Sequence, residues 1–90
     1  MIKIFLSSIA KNDIRLLIRV FNAEETGKGK RFLEDLKLTM DDITTHPDVA
    51  DSKYSDVMVH KMTNFPAHIH YTVENNDEIC LFVTAVFKEN

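Results

Sequence analysis

The most restrictive feature of this sequence is a run of three β-like blocks, over 57–63, 67–74 and 78–88, with very short connections between them. The tripeptide Asn64-Phe65-Pro66 separates the first two blocks and Asn75-Asn76-Asp77 separates the last two. Short turns can join only antiparallel neighbours, because a parallel pair needs a crossover of roughly a dozen residues. The C-terminal half therefore predicts a three-stranded antiparallel meander.

The N-terminal half carries a different periodicity. Met1 to Leu6 alternate in a period of two, which predicts a short, largely buried strand. Apolar residues then recur at helical spacing, which predicts helices over about 9–22 and about 30–45. Their apolar stripes consist of Ile14, Leu17, Ile18 and Phe21 in the first helix and of Phe32, Leu33, Leu36, Met40 and Ile43 in the second.

Local signals bound these two helices. Either Ser7 or Ser8 can cap the first helix, since a serine hydroxyl accepts a hydrogen bond from an amide of the first turn. Gly27 and Gly29 are the only glycines of the chain and predict the turn between the helices. The sequence thus predicts one α+β domain over residues 1–90, in which a helical hairpin packs on one face of a mostly antiparallel four-stranded sheet in the order β-α-α-β-β-β.

Composition excludes several classes of function. The formal net charge of -3 disfavours binding to a phosphate backbone, so we expect no direct binding of free DNA. Cys80 is the only cysteine, which excludes an intramolecular disulfide and a thiolate metal cage and favours a reducing cytoplasm. The apolar run from Met1 to Leu6 is too short to span a membrane. We expect a cytoplasmic protein without a membrane partner.

The face of the sheet turned away from the helices is the predicted location of function. Side chains alternate across a strand, so Ile69, Tyr71 and Val73 point to one face while His68, His70 and Thr72 point to the other. The apolar set is expected to meet the helices. The polar set then lies on the uncovered face.

A histidine cluster is one alternative on that face. A hairpin centred on Phe65 places His60 opposite His70, with His68 on the same face and Met58 and Met62 beside them. Imidazole and thioether groups together suit a late transition metal. The preferred interpretation is a half-exposed sheet face with no metal and no cofactor, because strand-face histidines are commonly just solvated or packed.

The order of elements and three local strings resemble the RelE/ParE superfamily, the toxins of bacterial type II toxin-antitoxin pairs. The strings are GKGKRFLEDL over 27–36, Pro47 after the second helix, and NFPAHIHYTVENNDEI over 64–79. The last is similar to the FPYRIYY-type hairpin of the family. The resemblance implies a toxin domain with a cognate antitoxin, a role in plasmid stabilisation, and either gyrase poisoning, as in ParE-like members, or ribosome-dependent mRNA cleavage, as in RelE-like members.

Most of the arginines that the family uses at these positions are replaced in this sequence. His68 stands where RelE-like members carry an arginine, and Met58 and Val59 replace the paired arginines of many ParE-like members. Only Lys61, His68 and Lys88 keep a basic or titratable group at matching positions. RNA cleavage requires activation of a 2′-hydroxyl and stabilisation of a charged phosphorane, for which an arginine fork is well suited. We therefore favour a ParE-like protein that binds its target. The alternatives are a RelE-like nuclease that uses these three residues and a non-toxic interaction module.

The last predicted strand is more apolar than strict alternation requires. In the family, an antitoxin wraps the toxin, and such a partner would bury this excess surface. A central strand that is apolar on both faces is the equal alternative. The residues predicted to contact the antitoxin are Leu81, Val83, Ala85 and Phe87.

Overall fold

The computed structural model describes residues 3–45, 58–75 and 79–89. The predicted order β-α-α-β-β-β is confirmed. Pro47 and the turn at residues 76 and 77, which carried part of the prediction, lie outside the described residues. The elements are β1 (Lys3–Leu6), α1 (Ser8–Glu24), α2 (Lys28–Thr45), β2 (Met58–Lys61), β3 (Ala67–Asn75) and β4 (Ile79–Lys88).

The four strands form one sheet in the order β1-β4-β3-β2. The two meander pairs, β2 with β3 and β3 with β4, are antiparallel, and β1 lies parallel to β4. The prediction of a mostly antiparallel sheet is therefore confirmed. The parallel pair arises because the whole helical hairpin and the meander intervene between β1 and β4, which gives the chain room for a crossover.

The helical hairpin covers one face of this sheet, as predicted. The buried side of α1 consists of Ala10, Ile14, Leu17 and Phe21, at the spacing of one helical stripe. They meet Phe32, Leu36 and Ile43 of α2 and the covered face of the sheet. The buried side chains of that face are Ala67, Ile69, Tyr71, Leu81, Val83 and Val86.

Ser7 joins the end of β1 to the start of α1. Its hydroxyl accepts a hydrogen bond from the Ala10 amide at 3.0 Å and donates one to the Thr84 carbonyl at 2.9 Å. Its own amide donates to the Val83 carbonyl at 3.0 Å. Of the two candidate serines, Ser7 is therefore the cap, and it also fixes the direction in which α1 leaves the sheet.

The two glycines shape the turn of the hairpin in different ways. Gly27 has a φ of +86°, which only glycine adopts without strain. Gly29 allows close packing, because a Cβ there would lie 2.4 Å from the Ile18 carbonyl oxygen. The Gly29 amide also donates to Asn22 Oδ1 at 2.9 Å. This acceptor satisfies an amide of the first turn, which lets α2 begin at Lys28, earlier than predicted.

A β-bulge interrupts β4 at Thr84. Ala85 pairs with His70 and Val83 pairs with Tyr71, so Thr84 has no residue opposite it. The Thr84 hydroxyl donates to the His70 carbonyl at 3.2 Å. Because the bulge adds one residue, the side-chain alternation of β4 reverses after Val83. Among the described helices, neither is long and apolar enough to cross a membrane.

Candidate functional site: an open sheet face and a cationic groove

The uncovered face of the sheet, here called the open face, carries a cluster of aromatic and imidazole rings. The centroids of the His68 and His70 rings are 4.9 Å apart, and the Phe87 centroid lies 4.7 Å from that of His70. Burial of the His70 ring, with a smaller contribution from the charge of His68, lowers the pKa of His70 below its ordinary value of 6.5. His70 is therefore neutral at neutral pH.

A second group of polar side chains lies beside this cluster. Lys61 pairs directly with His68 across β2 and β3. One carboxylate oxygen of Glu89 lies 3.5 Å from Lys61 Nζ and 3.6 Å from His68 Nδ1. This arrangement brings a cation, an imidazole and a carboxylate together. Glu89 was not among the residues predicted from the sequence, although its position two residues after Phe87 indicates the same face of the strand.

Lys88, the third predicted catalytic residue, lies elsewhere. It pairs with Ala67, whose side chain is buried beneath the helices, so the Lys88 side chain is directed toward α1. Its Nζ lies 3.6 Å from Glu24 Oε2 and 6.0 Å from the centre of the Phe21 ring. A hydrogen bond from Lys28, with a further contribution from Lys88, lowers the pKa of Glu24. The structure thus brings together Lys61 and His68 but not Lys88.

The predicted cluster of three histidines is wrong. The hairpin register pairs His60 with Ile69 and Met58 with Tyr71, rather than His60 with His70. A shift of one residue moves every side chain of a strand to the other face. His60 consequently lies on the helix side of the sheet, apart from His68 and His70. The three histidines therefore cannot bind one metal ion together.

The four residues predicted to bind the antitoxin do not share a surface. Leu81 and Val83 face the helices and are 3% and 1% exposed, so they are core residues. Ala85 and Phe87 lie on the open face, because the bulge reverses the alternation, and Phe87 is 46% exposed. Only the latter pair can contact another molecule in the folded state.

An apolar groove between the helices was not predicted. It encloses about 230 Å³ between α1, α2 and the end of β1. Three cations, Lys11, Arg15 and Lys37, lie along its rim, and none of them forms an ion pair with a described carboxylate. The i,i+4 spacing of Lys11 and Arg15, on either side of the apolar position Ile14, was the sequence signal for cations beside an apolar surface. The apolar lining consists of Leu6, Ile14, Leu33, Leu36 and Met40.

A polar pocket of about 280 Å³ lies on the opposite side of α2. Asp35 Oδ1 accepts a hydrogen bond from Asn64 Nδ2 at 2.8 Å, which ties α2 to the β2–β3 turn. The other oxygen, Oδ2, is buried without a hydrogen-bond partner among the described residues. The pocket therefore belongs to a structural contact between α2 and the hairpin.

The fold and its surfaces define a small α+β protein with a broad open face and a cationic groove. No family model matches the sequence, and no curated protein matches it either. A solved chain from the chromosomal ParDE toxin-antitoxin system of P. aeruginosa is similar in structure, with a TM-score of 0.73. The match covers 100% of this chain and 98% of that chain at 11% sequence identity. The fold is therefore ParE-like.

Proposed function

We propose that this chain is the toxin, or a toxin-like protein, of a type II toxin-antitoxin pair, and that it acts in the cytoplasm as one ParE-like domain over residues 1–90. The observation that carries the proposal is the structural match to a ParDE chain, which covers 100% of this chain and 98% of that chain. In this proposal the protein binds a macromolecular target such as DNA gyrase, performs no chemistry of its own, and is neutralised by a cognate antitoxin.

The surfaces of the chain support a protein partner. The groove offers apolar surface beside three cations, Lys11, Arg15 and Lys37, that form no ion pair with a carboxylate among residues 3–45, 58–75 and 79–89. This combination suits an acidic amphipathic helix. Ala85 and Phe87 on the open face provide a second apolar contact. The net charge of -3 opposes free DNA, so the local positive charge of the groove favours an acidic protein segment.

Growth after induced expression tests the toxin function directly. The expected outcome is growth arrest with altered DNA supercoiling and intact mRNA. Ribosome-dependent mRNA cleavage would contradict the proposal and favour the RelE-like alternative. The absence of arrest would favour a non-toxic interaction module on the same scaffold.

Charge reversal tests the antitoxin contact. The product of the open reading frame next to the gene is the probe, and its affinity for purified protein is measured by titration calorimetry. Lys37→Glu should weaken binding about tenfold and reduce its salt dependence. Arg19→Glu is the matched control, because Arg19 is an exposed cation of α1 that does not line the groove. Equal affinities for the two variants would contradict the groove as the contact.

The alternative nuclease function is favoured by a single observation, the contact of Lys61 and His68 with Glu89. In this alternative His68 acts as the general acid or base and Lys61 supplies positive charge, whereas Lys88, the third residue predicted from the sequence, lies on the helix side of the sheet beside Glu24. His68→Ala should then abolish mRNA cleavage. Cleavage that survives this change would exclude His68 as the catalytic group.

A further inference from the structure

His68 and His70 form a pair of imidazole rings on the open face. They are two residues apart on β3, so their side chains project from the same side of the sheet. Their ring centroids are 4.9 Å apart and the ring planes are tilted by 30°. A neutral imidazole has one nitrogen with a free lone pair, which makes histidine a common metal ligand.

The separation of the two rings fits the coordination of a single metal ion. A zinc–nitrogen bond of about 2.0–2.1 Å places the centre of an imidazole ring roughly 3.2 Å from the ion. Two rings on one ion are then roughly 4.5–5.2 Å apart for bond angles between about 90° and 109°. The observed 4.9 Å lies within this range. Rotation of the rings can therefore bring a nitrogen of each onto one ion without a change in the backbone.

The surroundings of the two rings favour a free nitrogen lone pair on each. The lowered pKa of His70, caused first by burial and then by the charge of His68, keeps the His70 ring neutral at neutral pH. Glu89 Oε1 lies 3.6 Å from Nδ1 of His68. This carboxylate favours the tautomer with its proton on Nδ1, which leaves the Nε2 lone pair of His68 for a metal ion. Metal-binding histidines commonly have a carboxylate in this position behind the ring.

The neighbouring strand β4 provides an apolar wall beside the pair. Because of the bulge at Thr84, Ala85 pairs with His70 and Phe87 pairs with His68. The Phe87 ring meets the His70 ring edge to face, and its centroid lies 5.7 Å from that of His68. Such an apolar wall limits the access of water to one side of a metal site. The uncovered face of the sheet leaves the other side open, where water can complete the coordination.

The other described side chains limit the kind of site that the pair can form. Within residues 3–45, 58–75 and 79–89, no three His, Cys, Asp or Glu side chains are arranged to hold a metal ion. The described residues therefore do not form a closed structural site with four protein ligands. Lys61 Nζ lies 3.5 Å from Glu89 Oε1, so Glu89 is held behind the His68 ring rather than beside it as a third ligand. Imidazole ligands select zinc, copper and nickel over magnesium and calcium.

We propose that His68 and His70 bind one divalent first-row transition-metal ion, of the class of Zn²⁺ and Cu²⁺, on the open face of the sheet. Nε2 of His68 and one ring nitrogen of His70 are the protein ligands, and water occupies the remaining positions. Glu89 is a positioning residue, because it acts through the tautomer of His68. The dissociation constant for Zn²⁺ should be about 1–200 µM, since two ligands supply about half the binding free energy of a four-ligand zinc site. The proposal departs from the expectation of a sheet face without a metal.

A zinc titration of the full-length protein tests the pair. The probe is Zn²⁺ alone, in a buffer that does not coordinate metals at neutral pH, and the ring nitrogens of the histidines are followed by NMR. We expect the ring nitrogens of His68 and His70 to shift together and to saturate at one ion per chain. Those of His60, on the other face, should not shift with them. Mg²⁺ is the control ion and should leave all three rings unchanged.

Single substitutions identify the ligands. His68→Gln and His70→Gln should each weaken zinc binding at least about tenfold, because one imidazole ligand then remains. His60→Gln is the matched control, since it removes the same side chain from the neighbouring strand, and the affinity should stay within about twofold. Glu89→Gln should weaken binding about threefold, because the neutral amide favours the required tautomer of His68 less strongly. Dispersed amide spectra confirm that each variant folds.

Several outcomes would overturn the inference. They are unchanged zinc affinity in His68→Gln or in His70→Gln, a loss in His60→Gln as large as in those two variants, an equal response of the rings to Mg²⁺, and no shift up to about 1 mM Zn²⁺. All of these results are binding measurements on the purified protein. Failure of the metal site can therefore be distinguished from failure of the proposed toxin function.

Discussion

The substitution Gly29→Ala changes helix propensity and packing, and these two effects change the free energy of unfolding in opposite directions. Alanine is the better helix former by about 1 kcal/mol, so helix propensity predicts a more stable protein. The packing predicts the reverse, because the new Cβ would lie 2.4 Å from the Ile18 carbonyl oxygen and 2.9 Å from two atoms of the Asn22 side chain. An ordinary van der Waals contact between a Cβ and a carbonyl oxygen is roughly 1 Å longer than the distance to the Ile18 oxygen. The backbone of α1 and α2 must therefore separate.

The magnitude follows from which atoms must move. Overpacking a close contact costs roughly 1–3 kcal/mol, and a backbone oxygen cannot rotate away as a side chain can. A cost near 3 kcal/mol, offset by about 1 kcal/mol of propensity, leaves a net loss of about 2 kcal/mol in the free energy of unfolding. For a chain of this size, that loss lowers Tm by about 10 °C.

Urea denaturation followed by circular dichroism measures this loss. The midpoint should fall by about 2 M if the slope is near 1 kcal/mol/M. The same substitution in an Asn22→Ala background is the control, since the Ile18 carbonyl remains in place when the Asn22 side chain is removed. Gly29→Ala should still destabilise this background. A Gly29→Ala protein as stable as the parent would refute the close approach of the helices.

Three further changes test other contacts. Ser7→Ala should cost about 1–2 kcal/mol in chemical denaturation, since it removes the cap of α1 and the bond to β4, whereas Ser8→Ala should stay within about 0.5 kcal/mol. Asp13→Ala leaves the Val86 amide without its acceptor and should lower the free energy of unfolding by about 1–2 kcal/mol. Asp13→Asn should lower it less, because the side-chain amide oxygen still accepts the hydrogen bond. Equal losses of stability for the two variants would contradict the hydrogen bond between Val86 and Asp13. His70 should titrate below pH 6.5 when followed by NMR, because its pKa is lowered in the folded state. The contribution of His70 to the free energy of unfolding is therefore full above pH 6.5 and is lost as pH falls through the folded pKa, and His70→Gln should reduce this loss. A titration midpoint above 6.5 would contradict the burial of the ring.

The order of elements was predictable because each rests on local chemistry. The stripe from Ile14 to Phe21 fixes a helix, and the short connection at Asn64-Phe65-Pro66 fixes an antiparallel pair. Both signals depend on residues a few positions apart. The fold class therefore follows from the sequence without any knowledge of long-range contacts.

The faces of the strands were less predictable because they depend on register. The turn near Phe65 allows two hairpin registers that differ by one residue, and the observed register pairs His60 with Ile69. The bulge at Thr84 is supported by contacts to Ser7 and His70, which are far from it in sequence. No local sequence pattern predicts such a bulge. The opposite orientations of Val83 and Phe87 could not be derived from alternation alone.

The unequal lengths of β1 and β4 connect the cap of α1 to the end of the sheet. β1 ends after Leu6 because Ser7 caps α1, and among the described residues no strand continues beside the last residues of β4 on that side. The same departure carries α1 past the end of β4, where Asp13 accepts a hydrogen bond from the Val86 amide at 3.1 Å. The cap that ends β1 therefore also determines which backbone group of β4 the helix can satisfy.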